Sequence, residues 1–315
     1  MGETHARAYQ SIPGVDIAAI YGRTESKVRS LAKKVRTLGT THLDKVLDDP
    51  TVDAVDVCLP SNVHRQFVIA ALSAGKHVFC ETPFALTIED AERMIEAARV
   101  NGRLLLVALL MRSVADYQHL QRAVTSGELG RPLAVYAYRL GSYLLRESSE
   151  FKEHYGDPTT ELMTFDLDVL NWMFGLPKQV YAVAATAPDG ISGHVVAALR
   201  YSDLVASVEA SGLMPAGFPF SVGIRVVGEA KALEVSTRFL DGIPETNLVC
   251  YGQDKEEVQL RRQDPYMAEC QYFVECVRGN ADPQFLDAER ALEALRLSIA
   301  IQDSLKEQKV VRLTE

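Results

Sequence analysis

The chain has 315 residues, 47% of them hydrophobic and 24% charged, an ordinary globular balance with length enough for two domains. A net charge of −9 and a pI near 5.4 exclude the basic face that nucleic-acid binding requires. No apolar run approaches the ~18 residues of a membrane span. The five cysteines are an odd number in no metal-ligand spacing, which reads as reduced thiols in a cytoplasmic protein without a metal site. Residues Met1–Ala6 are read as neither a signal peptide nor a myristoylation motif.

In chain order, a helix is predicted up to Ile12, closed by Pro13 and Gly14, then a strand over Val15–Tyr21 and a helix over Glu25–Val35. Leu38–His42 is a short strand, followed by a small helix at Leu43–Leu47. Val52–Leu59 is apolar enough for a strand buried on both faces, and Pro60, Ser61 and Asn62 stop it. His64–Ser73 has helical spacing and Gly75 ends it; His77–Cys80 is the next strand, broken by Pro83. Thr87 to Asp90 opens a helix reaching Val100, and Leu104–Leu110 is a further buried strand. Strands alternating with helices specify a doubly wound α/β domain with a parallel sheet, whose ligands sit beyond the carboxyl ends of the strands.

Past Ser113 the texture changes. A helix leads into a strand over Leu133–Leu144, a helix covers Thr159–Phe174, and strands follow at Val180–Thr186, His194–Tyr201, Leu204–Ser211, Ser221–Val227 and Leu233–Ser236. Consecutive strands without helices specify a second domain with a large, mostly antiparallel sheet covered on one face. Helices at Pro265–Val277 and Asp287–Leu305 close the chain. The expected division is 1–112 and 113–315.

The stretches HARAYQSIPGVDIAAIYGRT, VDAVDVCLPSNVH, AGKHVFCETPFALT, SGELGRP and FDLDVLNWMFG resemble the Gfo/Idh/MocA family of NAD(P)-dependent oxidoreductases. The resemblance spans essentially the whole chain. It implies a Rossmann-type domain on which the last helices pack back, hydride transfer to or from a sugar-like or other small carbonyl or hydroxyl substrate, and assembly as a homodimer or homotetramer. Gly2 matches the third glycine of the dinucleotide fingerprint, whose first strand and first two glycines have no counterpart in the sequence. That strand belongs between Val15–Tyr21 and Val52–Leu59. Either it is encoded ahead of Met1, or the sheet closes up or another segment fills the gap.

After the second strand of such a domain, NAD-preferring relatives place a carboxylate on the ribose. Here Arg23, Thr24 and Lys27 occupy the region, and Arg23 suits a 2′-phosphate, so the resemblance implies NADP(H), with NAD the alternative. Leu59, Pro60, Asn62, His64, Glu81 and Thr82 fall at cofactor-proximal tips.

The family's catalytic lysine and histidine are replaced by Thr82 and Phe165. A threonine hydroxyl is no proton reservoir near neutral pH, and positioned acid–base catalysis is worth ~10²–10⁴-fold. Candidate substitutes are Asp166, Glu161 and Arg112, with His154 and Tyr155 on a preceding loop. His5 is expected to be an exposed helix residue, and Leu162, Phe165, Val169, Trp172 and Met173 a core stripe. The two main functional readings are an NADP(H)-dependent oxidoreductase with a rearranged proton relay and a non-catalytic NAD(P)-binding sensor; redox-neutral elimination is the third.

Overall fold

A computed structural model describes residues 1–142, 157–186 and 192–313. It divides into two units, Met1–Ser113 with Gln263–Leu292, and Val114–Arg262 with Glu293–Glu315.

In the first unit, α1 (Gly2–Gln10) leads to β1 (Ala19–Tyr21), α2 (Glu25–Val35), β2 (Leu38–Thr40) and α3 (Asp44–Leu47). β1 and β2 pair in parallel. Then β3 (Ala54–Val57), α4 (His64–Ser73), β4 (His77–Cys80), α5 (Ile88–Asn101) and β5 (Leu105–Val107) form a three-stranded parallel sheet in the order β3-β4-β5. The expected cap of α5 is present: the Asp90 N–H donates to the Thr87 hydroxyl at 3.1 Å, and Gly102 closes the helix at φ 61°. The returning helix, labelled α9 here (Pro265–Val277), stacks Phe273 on Phe79 at 5.1 Å, and this aromatic packing ties it into the first unit.

The two sheets do not join. Between the β1 and β3 edges lies a cavity of about 450 Å³, lined by Val15–Tyr21, Thr51–Leu59 and residues of α1 and α9. The sheet has therefore not closed up, and no described segment pairs with either edge. Val52–Leu59, expected to be buried on both faces, is a strand only over Ala54–Val57, and three of those four residues are partly accessible.

The second unit contains α6 (Ala115–Thr125), α7 (Pro158–Glu161), α8 (Met163–Phe174) and a nine-stranded sheet. Its strands are β6 (Pro132–Leu140), β7 (Gln179–Thr186), β8 (Ser192–Arg200), β9 (Val205–Ser211), β10 (Ser221–Gly228), β11 (Ala232–Leu240), β12 (Ile243–Tyr251), β13 (Lys255–Glu257) and β14 (Val311–Arg312). The order is β13-β12-β11-β10-β6-β9-β8-β7-β14, antiparallel throughout except for the parallel β6–β9 pair. The predicted strand at Leu233–Ser236 extends to Leu240. β12 and β13 were not legible, because Pro244, Glu245, Thr246 and Asn247 break the apolar alternation. The single predicted helix over 159–174 is broken at Leu162. The closing helix is α10 (Ala288–Glu307).

Candidate functional site

The tips after β3 and β4 lie side by side because their strands pair in parallel, with Val57 opposite Cys80. His64, the first residue of α4, is 1% exposed and sits between them. Its Nε2 is 2.6 Å from the Leu59 carbonyl and its Nδ1 3.2 Å from the Phe84 carbonyl. Burial lowers its pKa, and the two carbonyls pull the other way. A neutral imidazole carries one N–H, so His64 donates to only one of these carbonyls, and its buried ring fills the space between the two tips. Pro60 follows Leu59 at the tip, and Asn62 is exposed beyond it. Thr82 donates its hydroxyl to the Ala108 carbonyl at 2.5 Å and its N–H to the Glu81 carboxylate at 2.9 Å. At the tip of β1, Arg23, Thr24 and Lys27 are exposed, and the Thr24 side chain caps no N–H. The carboxylate nearest in sequence, Glu25, pairs with Arg29 at 2.5 Å.

His5 is 1% exposed, which corrects the expected exposed histidine. Its Nδ1 lies 2.8 Å from Asp56 Oδ2, and its Nε2 lies 3.1 Å from Glu81 Oε1 and 3.7 Å from Glu269 Oε1. Burial opposes a charge on His5, but hydrogen bonds to Asp56 and Glu81 outweigh it and push the pKa up to about 10. Glu269, on α9, is fully buried, and neither of its carboxylate oxygens has a hydrogen-bond partner among the described residues. Burial and the neighbouring Glu81 raise its pKa well above the carboxylate range, against the pull of His5.

The tertiary structure also brings His5, Asp56 and Cys270, and His5, Cys58 and Glu81, within 4.8 Å of one another, a proximity that sequence spacing did not suggest. With both imidazole nitrogens facing carboxylates, this cluster is organised as an ion-pair network around a cationic His5. Asp56 and Glu269 were missed; the available signal was a carboxylate set among apolar residues in each of two segments, AVDVCL and MAECQYF.

In the second unit, Asp166 is buried on α8 and accepts from Arg139 Nε at 3.1 Å and Nη2 at 3.2 Å. Burial raises its pKa and Arg139 opposes the rise. The Arg139 guanidinium stacks 4.7 Å from the centroid of Phe165, the residue at the family's histidine position. Arg139 was legible in principle, since it falls in phase with the buried Val135 and Ala137 of β6. Glu161, at the end of α7, is partly accessible, while Asp168 is 1% exposed. Of the expected core stripe Val169 and Met173 are buried, while Leu162, Phe165 and Trp172 are only partly so; Met163, Leu167 and Leu170 complete the buried face.

Arg112, 3% exposed in the first unit, donates to the Phe285 carbonyl at 2.9 Å. Gly2 opens α1 beside Cys58. His154 and Tyr155 lie outside the described residues. The structure therefore gathers Leu59, His64, Glu81 and Thr82 at two adjacent tips and Arg23, Thr24 and Lys27 at a third. Arg112 lies elsewhere in the same unit, and Asp166 and Glu161 belong to the second.

Residues 1–109 match the model of an oxidoreductase family with an NAD-binding Rossmann fold, and residues 117–234 match that family's C-terminal domain. The chain belongs to the Gfo/Idh/MocA oxidoreductase family. It is 28% identical to a myo-inositol 2-dehydrogenase of Thermotoga maritima, over 100% of this chain and 96% of that protein. It is 25% identical to a scyllo-inositol 2-dehydrogenase (NAD(+)) of Bacillus subtilis, over 99% and 93% of the two chains. Its fold matches the crystal structure of an aldose-aldose oxidoreductase from Caulobacter crescentus with a TM-score of 0.87 at 21% identity, over 98% and 95% of the two chains.

Proposed function

We propose that the chain is an NADP(H)-preferring oxidoreductase acting on CH–OH groups of a sugar-like polyol or the corresponding ketone. The observation that carries the nucleotide preference is the exposed Arg23, Thr24 and Lys27 edge, whose nearest carboxylate in sequence, Glu25, is already paired with Arg29. Family membership and the inositol dehydrogenase relatives support the reaction class. The side chains at the tips fit such a cofactor: Arg23 and Lys27 for a 2′-phosphate, and Asn62 beyond β3. When bound, the dinucleotide supplies or accepts the hydride.

The chain's own residues then position the reactants and move the hydroxyl proton. The buried His64 ring lies between the two tips and donates its one N–H to either the Leu59 or the Phe84 carbonyl. Thr82, with its hydroxyl donated to Ala108, orders its tip and holds no exchangeable acid near neutral pH. Asp166 is bound to Arg139 and orders the helix beneath β6. Of the three carboxylates Glu161, Asp166 and Asp168, only Glu161 has partial solvent access, and proton transfer is assigned to it.

Titration with NADPH and NADH tests the cofactor assignment. A charge-assisted hydrogen bond is worth ~1.5–3 kcal/mol, so Arg23→Ala should weaken NADPH at least ~10-fold while leaving NADH within about twofold. Equal weakening of both would refute the assignment. Glu161→Gln should lower kcat by ~10²–10⁴-fold with nucleotide affinity unchanged. The engaged Thr82 hydroxyl and Asp166 carboxylate favour the sensor as second reading; nucleotide binding without turnover on any polyol or ketone would select it.

A further inference from the structure

Four elements of the first unit each bring one polar side chain to the same point. Val57 pairs opposite Cys80, so Cys58 and Glu81, the residues that follow β3 and β4, stand side by side. From α1, His5 stacks its ring on Phe79 at 5.8 Å. On α9, Glu269 and Phe273 are one helical turn apart and share a face. The stacking of Phe273 on Phe79 therefore brings Glu269 to the same place, with its Oε1 3.7 Å from His5 Nε2.

The donor atoms there are in excess of their partners. Asp56 Oδ2 holds His5 Nδ1 at 2.8 Å, which turns Nε2 towards Glu81 Oε1 at 3.1 Å. Glu81 Oε2 accepts the Thr82 N–H, leaving Oε1 for the cluster. His5, Cys58 and Glu81 present ligand atoms that all lie within 4.8 Å of one another. His5 Nε2, Glu81 Oε1 and both oxygens of the fully buried Glu269 complete no aligned hydrogen bond among the described residues. Buried polar atoms are ordinarily paired, so a convergent set of unpaired ones points to a ligand. Three carboxylates, Asp56, Glu81 and Glu269, face one imidazole, which selects a cation. Thiol, imidazole and carboxylate together are the ligand types of zinc. Bonds of ~2.0–2.3 Å in a tetrahedral zinc site set the ligand atoms ~3.3–3.8 Å apart, and the 3.1 and 3.7 Å spacings around Nε2 are close to that.

We propose that His5 Nε2, Cys58 Sγ, Glu81 Oε1 and Glu269 Oε1 form a four-coordinate structural zinc site, with Asp56 orienting the imidazole through Nδ1–H. Four protein ligands leave no open position, so the ion ties α1 and α9 to the tips of β3 and β4 and stands apart from hydride and proton transfer. The imidazolium is the metal-free form of the same ring. Zinc takes the place of the Nε2 proton, and the Cys58 thiol and Glu269 carboxyl release theirs to solvent as their bonds to the metal form. No electron is transferred.

The experiment is a cobalt(II) titration of the full metal-free chain, followed by its absorption spectrum. Tetrahedral ligand-field bands and a thiolate-to-cobalt charge-transfer band should appear together, saturate at one ion per chain, and be bleached by zinc but not by magnesium. Cys58→Ser should remove the charge-transfer band, and Glu269→Gln should weaken binding at least ~10-fold. Cys270→Ser should leave the spectrum unchanged, because that thiol groups with Asp56 on the Nδ1 side of the ring. Should Cys58→Ser or Glu269→Gln fail to fold, X-ray absorption of the zinc-loaded wild type decides. One sulfur at ~2.3 Å with nitrogen and oxygen neighbours at ~2.0–2.2 Å supports the site; no sulfur, or two, overturns it. Absence of the cobalt bands, a charge-transfer band that survives Cys58→Ser or depends on Cys270, or unchanged binding by Glu269→Gln also overturns it.

Discussion

His5→Leu tests the cationic network at the heart of the first unit. The substitution leaves Asp56 and Glu81 buried or partly buried without the imidazolium that lies 2.8 and 3.1 Å from them. Removing one partner of a buried pair costs ~3–5 kcal/mol. The rise of the His5 pKa from 6.5 to about 10 gives the same order, ~5 kcal/mol at ~1.4 kcal/mol per tenfold change in proton affinity. Because the folded-state value lies above the unfolded one, this stabilisation is complete below pH 6.5 and is lost as pH rises towards 10. Urea unfolding of wild type and His5→Leu, followed by circular dichroism at pH 6, 8 and 10.5, isolates the effect as a difference between the two proteins. The gap should be largest at pH 6 and shrink by pH 10.5, and adding Asp56→Leu should recover part of it at pH 6. A gap under ~1 kcal/mol, or one constant across the three pH values, would refute the charged-histidine account.

Two further outcomes are expected in the second unit. Asp166→Ala should cost ~3–5 kcal/mol by stranding the buried Arg139, and pairing Asp166→Leu with Arg139→Met should cost less than the sum of the two single changes in denaturant melts. Gly228→Ala places a Cβ 2.1 Å from the Leu129 carbonyl oxygen, a backbone atom that has little room to yield. It should lower stability by ~2–3 kcal/mol, read as a fall in Tm, while Gly127→Ala, which meets no atom within 4 Å, tests the positive φ alone.

Element order was legible because the first half is written in local signals. Continuous apolar runs such as His77–Cys80 and the Thr87 to Asp90 cap need no distant partner to be recognised. β12 and β13 were not, because they lie at one edge of the sheet, where backbone pairing onto β11 holds segments whose side chains are largely exposed and polar. Candidate site residues were legible as positions but not as chemistry. Thr82 and Asp166 were singled out by resemblance to the family's motifs; the hydroxyl of one is donated to Ala108 and the carboxylate of the other is held by Arg139.

The sequence by itself determined the parallel character of the first half and the mostly antiparallel character of the second, and it placed threonine and phenylalanine at Thr82 and Phe165. These are read from residue type and short-range period, which local sterics and side-chain chemistry decide. Only the tertiary structure decided that His5 is a buried cation, that Glu269 joins its carboxylates from 264 residues away, and that the edges of β1 and β3 stand apart around a cavity. Those facts depend on which distant segments meet, and on the dielectric and the empty volume their meeting creates, quantities that no stretch of chain carries alone.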